Sequence, residues 1–216
     1  MPSRLRPLAL AAALTLAAGH AFAVTYDSVD FFRAVNVDNA DAVSRMIAAG
    51  VDPNQLDPHG QPALILALQT ESLKVAKVLW DTKGIQVDIR NHAGETPLMM
   101  AALKAEVDAA GALVAHGAAV QKDGWSPLHY AATGGSAAIV KLLLSKGAPL
   151  EARSPNGSTP LMMAARYGNE EAVDALLAAG ADRTAKNDLG MDAAAFAASA
   201  GRDRLAARLK PVASAK

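Results

Sequence analysis

Apolar positions along the chain recur in pairs of short stretches, separated by polar, glycine-bearing turns. In residues 157–182, Thr159-Pro160 opens a run of small and apolar side chains that ends at Gly168. A second run follows in which Val173, Leu176 and Leu177 fall three and four apart before Gly180. That spacing lays apolar side chains on one face of a helix. A threonine hydroxyl accepts from a first-turn N–H, and proline suits the next position because the N–H it lacks would have no partner there. Glycine closes the second helix. The pattern predicts a helix, a turn and a helix.

One such pair, about forty residues, holds too little core to stand alone, so it must stack on copies of itself. The copies are present at a near-constant period. Gln61, Thr96, Ser126 and Asp192 hold the place of Thr159, at spacings of 35, 30, 33 and 33 residues, and Pro62, Pro97 and Pro127 follow in step. The closing glycine recurs as Gly50, Gly84, Gly117 and Gly147, and the turn glycine ahead of each pair as Gly60, Gly94, Gly124, Gly157 and Gly190.

Gly94-Glu95-Thr96-Pro97-Leu98, Ser126-Pro127-Leu128-His129-Tyr130-Ala131-Ala132 and Val140-Lys141-Leu142-Leu143-Leu144-Ser145-Lys146-Gly147-Ala148 resemble the turn, first helix and second helix of the ankyrin repeat family. The resemblance runs from about residue 28 to 210. It implies an all-α repeat solenoid of about six units with short hairpin fingers, at 28–56, 57–91, 92–122, 123–154, 155–187 and 188–210, the first and last being atypical caps. Asp27 and Ser28 are positioned to cap the first helix, and Asp192 and Ala193 replace the usual threonine and proline in the last unit. Arg202, Asp203, Arg204, Arg208 and Lys210 give that unit the polar outer face a terminal repeat needs. A fold of this kind hosts many partners and fixes no single function.

Two units depart from the period. The second carries one extra residue around Thr70–Lys74 and one around Thr82–Lys83, which reads as enlarged turns. The interval from Gly117 to Gly124 is seven residues, where the corresponding intervals elsewhere are ten, so one finger is blunted. Trp125 follows at once, and two roles are open to it: an aromatic anchor for a partner, or packing over the shortened loop. Trp80 stands where other units place a core leucine and is expected to pack against a neighbouring repeat. Met99-Met100 and Met162-Met163 read as fillers of irregular gaps between units, with an adaptable binding surface as the alternative. The resemblance gives His129 a structural bond to the adjacent hairpin.

Ahead of the repeats, Arg4 and Arg6 precede an apolar run of about eleven residues, Leu8 to Ala18. Ala21-Phe22-Ala23 then places small residues where a signal peptidase cuts. The run is shorter than the roughly 20 residues that span a bilayer, so residues 1–23 read as a cleavable export signal. Its alanine-rich style suggests the periplasm of a Gram-negative bacterium, with secretion as the alternative. Residues 211–216, after Pro211, read as a disordered tail.

Composition narrows the chemistry. Charges balance over the whole chain, and loss of Arg4 and Arg6 leaves a mature protein about two units negative, which argues against nucleic acid. With no cysteine, thiol catalysis, cysteine metal sites and disulfides are out. The mature histidines, His59, His92, His116 and His129, are isolated, and no metal-ligand, nucleophile-elbow, phosphate-loop or dinucleotide motif is present. No cofactor or metal is expected.

A non-catalytic protein-binding role therefore leads. The resemblance implies a concave surface of hairpin tips and first helices, whose exposed positions would be Arg90, His92, Glu95, Lys104, Asp123, Trp125, Thr133, Arg153, Asn156, Ser158, Arg166, Tyr167, Lys186 and Met191. Arginine and aromatic side chains gather in the middle of that set, as at interface cores. The expected partner is an unidentified protein, bound by a monomeric stack. An inhibitor or immunity protein is the alternative, and an enzyme with a site assembled across repeats comes third.

Overall fold

The computed structural model describes residues 27–210; the expected export signal and tail lie outside them. The described residues form 12 α-helices: α1 Ser28–Asn36, α2 Ala40–Ala48, α3 Ala63–Gln69, α4 Leu73–Trp80, α5 Pro97–Leu103, α6 Val107–Ala115, α7 Pro127–Gly134, α8 Ala137–Ser145, α9 Pro160–Arg166, α10 Glu170–Ala178, α11 Ala193–Ser199 and α12 Asp203–Leu209. The odd-numbered helices pack in a row, α1 on α3 through to α9 on α11, and α2, α4, α6, α8 and α10 form a second row. This is an all-α repeat solenoid of six helix pairs.

Helices of seven to nine residues are marginal in isolation, so their stability comes from packing. One continuous apolar core runs the length of the stack, from Phe31 and Val35 through Leu64, Leu98, Leu128 and Leu161 to Ala197 and Leu209. Trp80 joins it at 8% exposure, as expected.

The caps follow the sequence with one correction. Thr96 and Thr159 accept from the amides of Met99 and Met162, Asp192 from Ala195 at 2.8 Å, and Asp27 from Asp30 at 2.7 Å. Pro97, Pro127 and Pro160 are first residues of their helices. Pro62 is not: it is itself the cap of α3, at φ −63° and ψ 141°, and Gln61 lies outside the helix, its side-chain Nε2 donating to Gln69 Oε1 at 2.6 Å. A ring that holds φ near −65° is compatible with the extended backbone of a cap, and Gly60 fixes the finger two residues ahead, as Gly94 does ahead of Thr96. With Pro62 as cap, the turn from α3 to α4 is three residues, Thr70 to Ser72, the same as Lys104 to Glu106 between α5 and α6. The insertion expected there does not exist. Only the extra residue near Thr82 remains.

Fingers are stitched to one another. The fourth residue after each of the first four closing glycines reaches the next finger's backbone: Asn54 Nδ2 donates to Gly84 O at 3.1 Å, Asp88 Oδ1 accepts from Ala119 N at 3.0 Å, Gln121 Nε2 donates to Gly147 O at 2.9 Å, and Glu151 Oε1 accepts from Asp182 N at 2.9 Å. Tip residues also seat on the preceding turn glycine, His92 on Gly60, Pro155 on Gly124 and Asp188 on Gly157.

The last unit differs from expectation in detail. Arg202 is half-buried and turns back to the C-terminal end of α9, where Nη1 donates to the carbonyls of Ala164 (3.1 Å), Ala165 (2.9 Å) and Gly168 (2.7 Å). Arg208 pairs with Glu170 and Asp174 of α10. Both therefore bind the neighbouring unit, because carbonyls at a helix C-terminus and carboxylates on α10 are better partners than water alone. Asp203, Arg204 and Lys210 remain exposed on this terminal unit.

Candidate functional site

The groove side of the stack is built from two rows of side chains set by the helix caps. Four residues after each cap stand Leu66, Met100, Tyr130, Met163 and Phe196. From the third unit onward, the residues just before the caps are Glu95, Trp125, Ser158 and Met191. The two rows meet the finger tips in a groove with two adjoining apolar hollows that share Trp125 and Met163.

The smaller hollow, about 180 Å³, lies between Leu103, Trp125, His129, Tyr130, Thr133 and Met163. Trp125 is half-buried. Its ring stands edge-on to His129, with centroids 5.4 Å apart and planes at 79°, and it lines both hollows of the groove. His129 is fully buried: Nδ1 accepts from the Ser126 amide at 3.2 Å and lies 2.9 Å from its hydroxyl, while Nε2 lies 3.0 Å from Ser158 O. Because Nδ1 accepts, Nε2 carries the proton and donates to the next finger. Burial lowers the imidazole's pKa below 6.5, opposed by the Ser158 carbonyl, so the ring is neutral and structural. Tyr130 donates to Glu95 Oε1 at 2.8 Å, and burial together with that carboxylate pushes its phenol well above the usual tyrosine range.

The larger hollow, about 310 Å³, spans the fingers and first helices of the last two units. Tyr167 and Leu189 stand at its edge at 57% and 78% exposure. Arg166 lies with its guanidinium carbon 5.2 Å from the Tyr167 ring centroid and donates to Ser199 Oγ at 2.8 Å. An Arg held against an aromatic face in this way is ordered and partly desolvated.

The expected surface residues divide into groups. Trp125, Asn156, Arg166, Tyr167 and Met191 converge on the larger hollow and Thr133 on the smaller. Arg90 and Asp123 flank a polar notch of about 350 Å³ at the blunted finger, with Gln121 and Lys122. His92 packs over Gly60, Lys104 is paired with Glu71 at 3.0 Å, and Glu95 is held by Tyr130 and Asn91. Arg153 Nη1 bonds to Gly157 O and Lys186 O, both at 2.8 Å, and so joins two fingers. Ser158 is a correction: it is 1% exposed, because its side chain is too short to emerge from a row that elsewhere carries Trp125 and Met191.

Sequence reasoning missed Tyr130, Met163, Leu189 and Phe196 as groove residues. Met99 and Met162 are buried fillers as expected, and so is Met100 despite its place in the groove row, but Met163 lines both hollows. The signal for Leu189 was a large apolar residue just before the turn glycine, where other units carry His59, Ala93, Asp123 or Asn156. Among the described residues no cluster of three or more metal-ligating side chains occurs, and no helix is long and apolar enough to cross a membrane.

Known proteins share this architecture. A solved complex of a predatory endopeptidase from Bdellovibrio bacteriovorus with an immunity protein contains a similar chain: TM-score 0.71 and 26% identity, over 86% of this chain and 100% of that one. The B-cell lymphoma 3 protein homolog of Mus musculus is 35% identical over 125 residues, 55% of this chain and 28% of its own length. Zygote-specific protein 3 of Chlamydomonas reinhardtii is 36% identical over 97 residues, 44% of this chain and 26% of its own. The chain thus spans about a quarter of these two curated relatives. The model of ankyrin repeats in three tandem copies matches residues 31–123, 82–156, 112–187 and 148–210, which takes in every helix pair, and the chain belongs to the ankyrin repeat family.

Proposed function

We propose that the protein is a non-catalytic binding module, exported to the periplasm, that grips a partner protein in the groove between its first helices and fingers. Ankyrin repeats are interaction modules, and the observation that carries the reading here is the two-part apolar groove centred on Trp125 and Met163. Exposed apolar surface of this kind is costly in water and marks a place where another molecule docks. Arginine and aromatic side chains at its centre match the composition of interface cores. The export assignment rests on the arginines, apolar run and small-residue motif of residues 1–23.

A second reading has its own support. The similar chain in the solved structure comes from a complex of an immunity protein with an endopeptidase, and this chain covers all of it. On that reading the groove holds an exported peptidase in check. One experiment serves both. Crosslinking in the native periplasm followed by mass spectrometry identifies the partner, and Trp125→Ala with Tyr167→Ala is expected to abolish its capture while leaving the helical circular dichroism unchanged. A peptidase among the captured proteins favours the immunity reading. Capture undiminished by the double substitution refutes the groove.

A further inference from the structure

The larger hollow has a one-sided polar inventory. Its lining includes one cation, Arg166, and neither aspartate nor glutamate. The oxygens of its two asparagine side chains are already occupied: Asn187 Oδ1 takes the amides of Leu189 (3.1 Å) and Met191 (2.9 Å), and Asn156 Oδ1 takes Ser154 Oγ (2.6 Å) and the Ser158 amide (3.3 Å). The Ser158 hydroxyl, on a residue 1% exposed at the same wall, has no partner at all among the described residues. A buried polar group left unpaired costs about 1–3 kcal/mol, so a native site that keeps one is expected to use it.

Taking the groove as the partner-binding face, we infer that this hollow receives an apolar side chain of the partner protein lying next to an aspartate or glutamate carboxylate, because the groove continues past Trp125 and Met163 into the second hollow and suits a segment that runs through it. The apolar walls of Met163, Leu189, Met191 and Phe196 suit the side chain. Arg166 has spent Nη1 on Ser199, and the rest of its fork matches a carboxylate in shape and charge. Donors around an apolar hollow select a partner rich in acceptors. An acidic hollow would repel the same segment; this one contains no acid.

Titration with four N-acetylated synthetic peptides tests the inference: one with an internal Glu-Phe pair and its Gln-Phe twin, both amidated at the C-terminus, one ending in Phe with a free carboxylate, and the amide of that peptide. The Glu-Phe peptide is expected to bind about tenfold more tightly than its Gln-Phe twin, by chemical-shift perturbation, and a preference shown only by the peptide with the free terminal carboxylate overturns the internal acid. Arg166→Gln should erase the difference, and Ser158→Ala should reduce it without loss of helix. Equal binding by charged and neutral twins overturns the carboxylate while leaving the groove standing. Failure of all four to bind at millimolar concentration overturns the inference as a whole. Neither result is confused with failure of the groove itself, which appears as partner capture surviving the Trp125 and Tyr167 substitutions.

Discussion

His129 shows how one side chain can hold two units in register. The ring accepts from Ser126 in its own unit and donates to Ser158 in the next, so its neutral tautomer is the only one that satisfies both ends. Since its folded pKa lies below 6.5, the unfolded chain binds more protons in acid. Its contribution is therefore complete above pH 6.5 and is lost as pH falls from there through the folded value. We predict that His129→Leu costs about 2–4 kcal/mol, because Ser158 O and Ser126 N lose their partner, and that urea midpoints of the variant lack this acid-side decline. A decline of equal size in the variant would assign the effect to other groups. The resemblance made His129 legible in the sequence. The burial of Ser158 was not, because a row position foretells where a side chain points and not whether it is long enough to arrive.

At the level of elements, helix rows approach closely where glycine allows it. A Cβ at Gly168 would collide with the carbonyl oxygen of Ala132 in α7, while one at Gly111, inside α6, would meet nothing within 4 Å. Gly168→Ala is expected to destabilise by about 2–3 kcal/mol, since backbone cannot yield as a flexible side chain does. Gly111→Ala should stabilise by about 0.5–1 kcal/mol through better helix propensity. Denaturant unfolding of the two variants checks both signs. Helix pairs, closing glycines and the blunted finger were readable from spacing. The cap of α3 was misplaced by one residue, because Pro62 looks like Pro97 in a list of prolines and only Gly60 reveals the true register.

Across the whole molecule, the stack is a one-dimensional series in which each unit leans on its neighbours, so its ends set how it frays. Arg202 fastens the last pair through three carbonyls of the preceding unit. Replacing it by methionine should cost about 1.5–3 kcal/mol locally, with faster amide exchange in α11 and α12 and little change in α5 to α8. Uniform acceleration along the chain would show that the stack opens as a single block. The solenoid itself was legible because its period repeats. The groove was legible only in part, since Met163 and Phe196 occupy core-like positions in the sequence and become groove-lining only when neighbouring units are set side by side. One consequence concerns light. The two indoles differ in setting, Trp80 closed within the core and Trp125 half-open at the mouth of the groove. The protein thus carries its own reference lamp and its own sensor, and a partner that covers Trp125 should shift that emission to the blue while Trp80 keeps a constant colour.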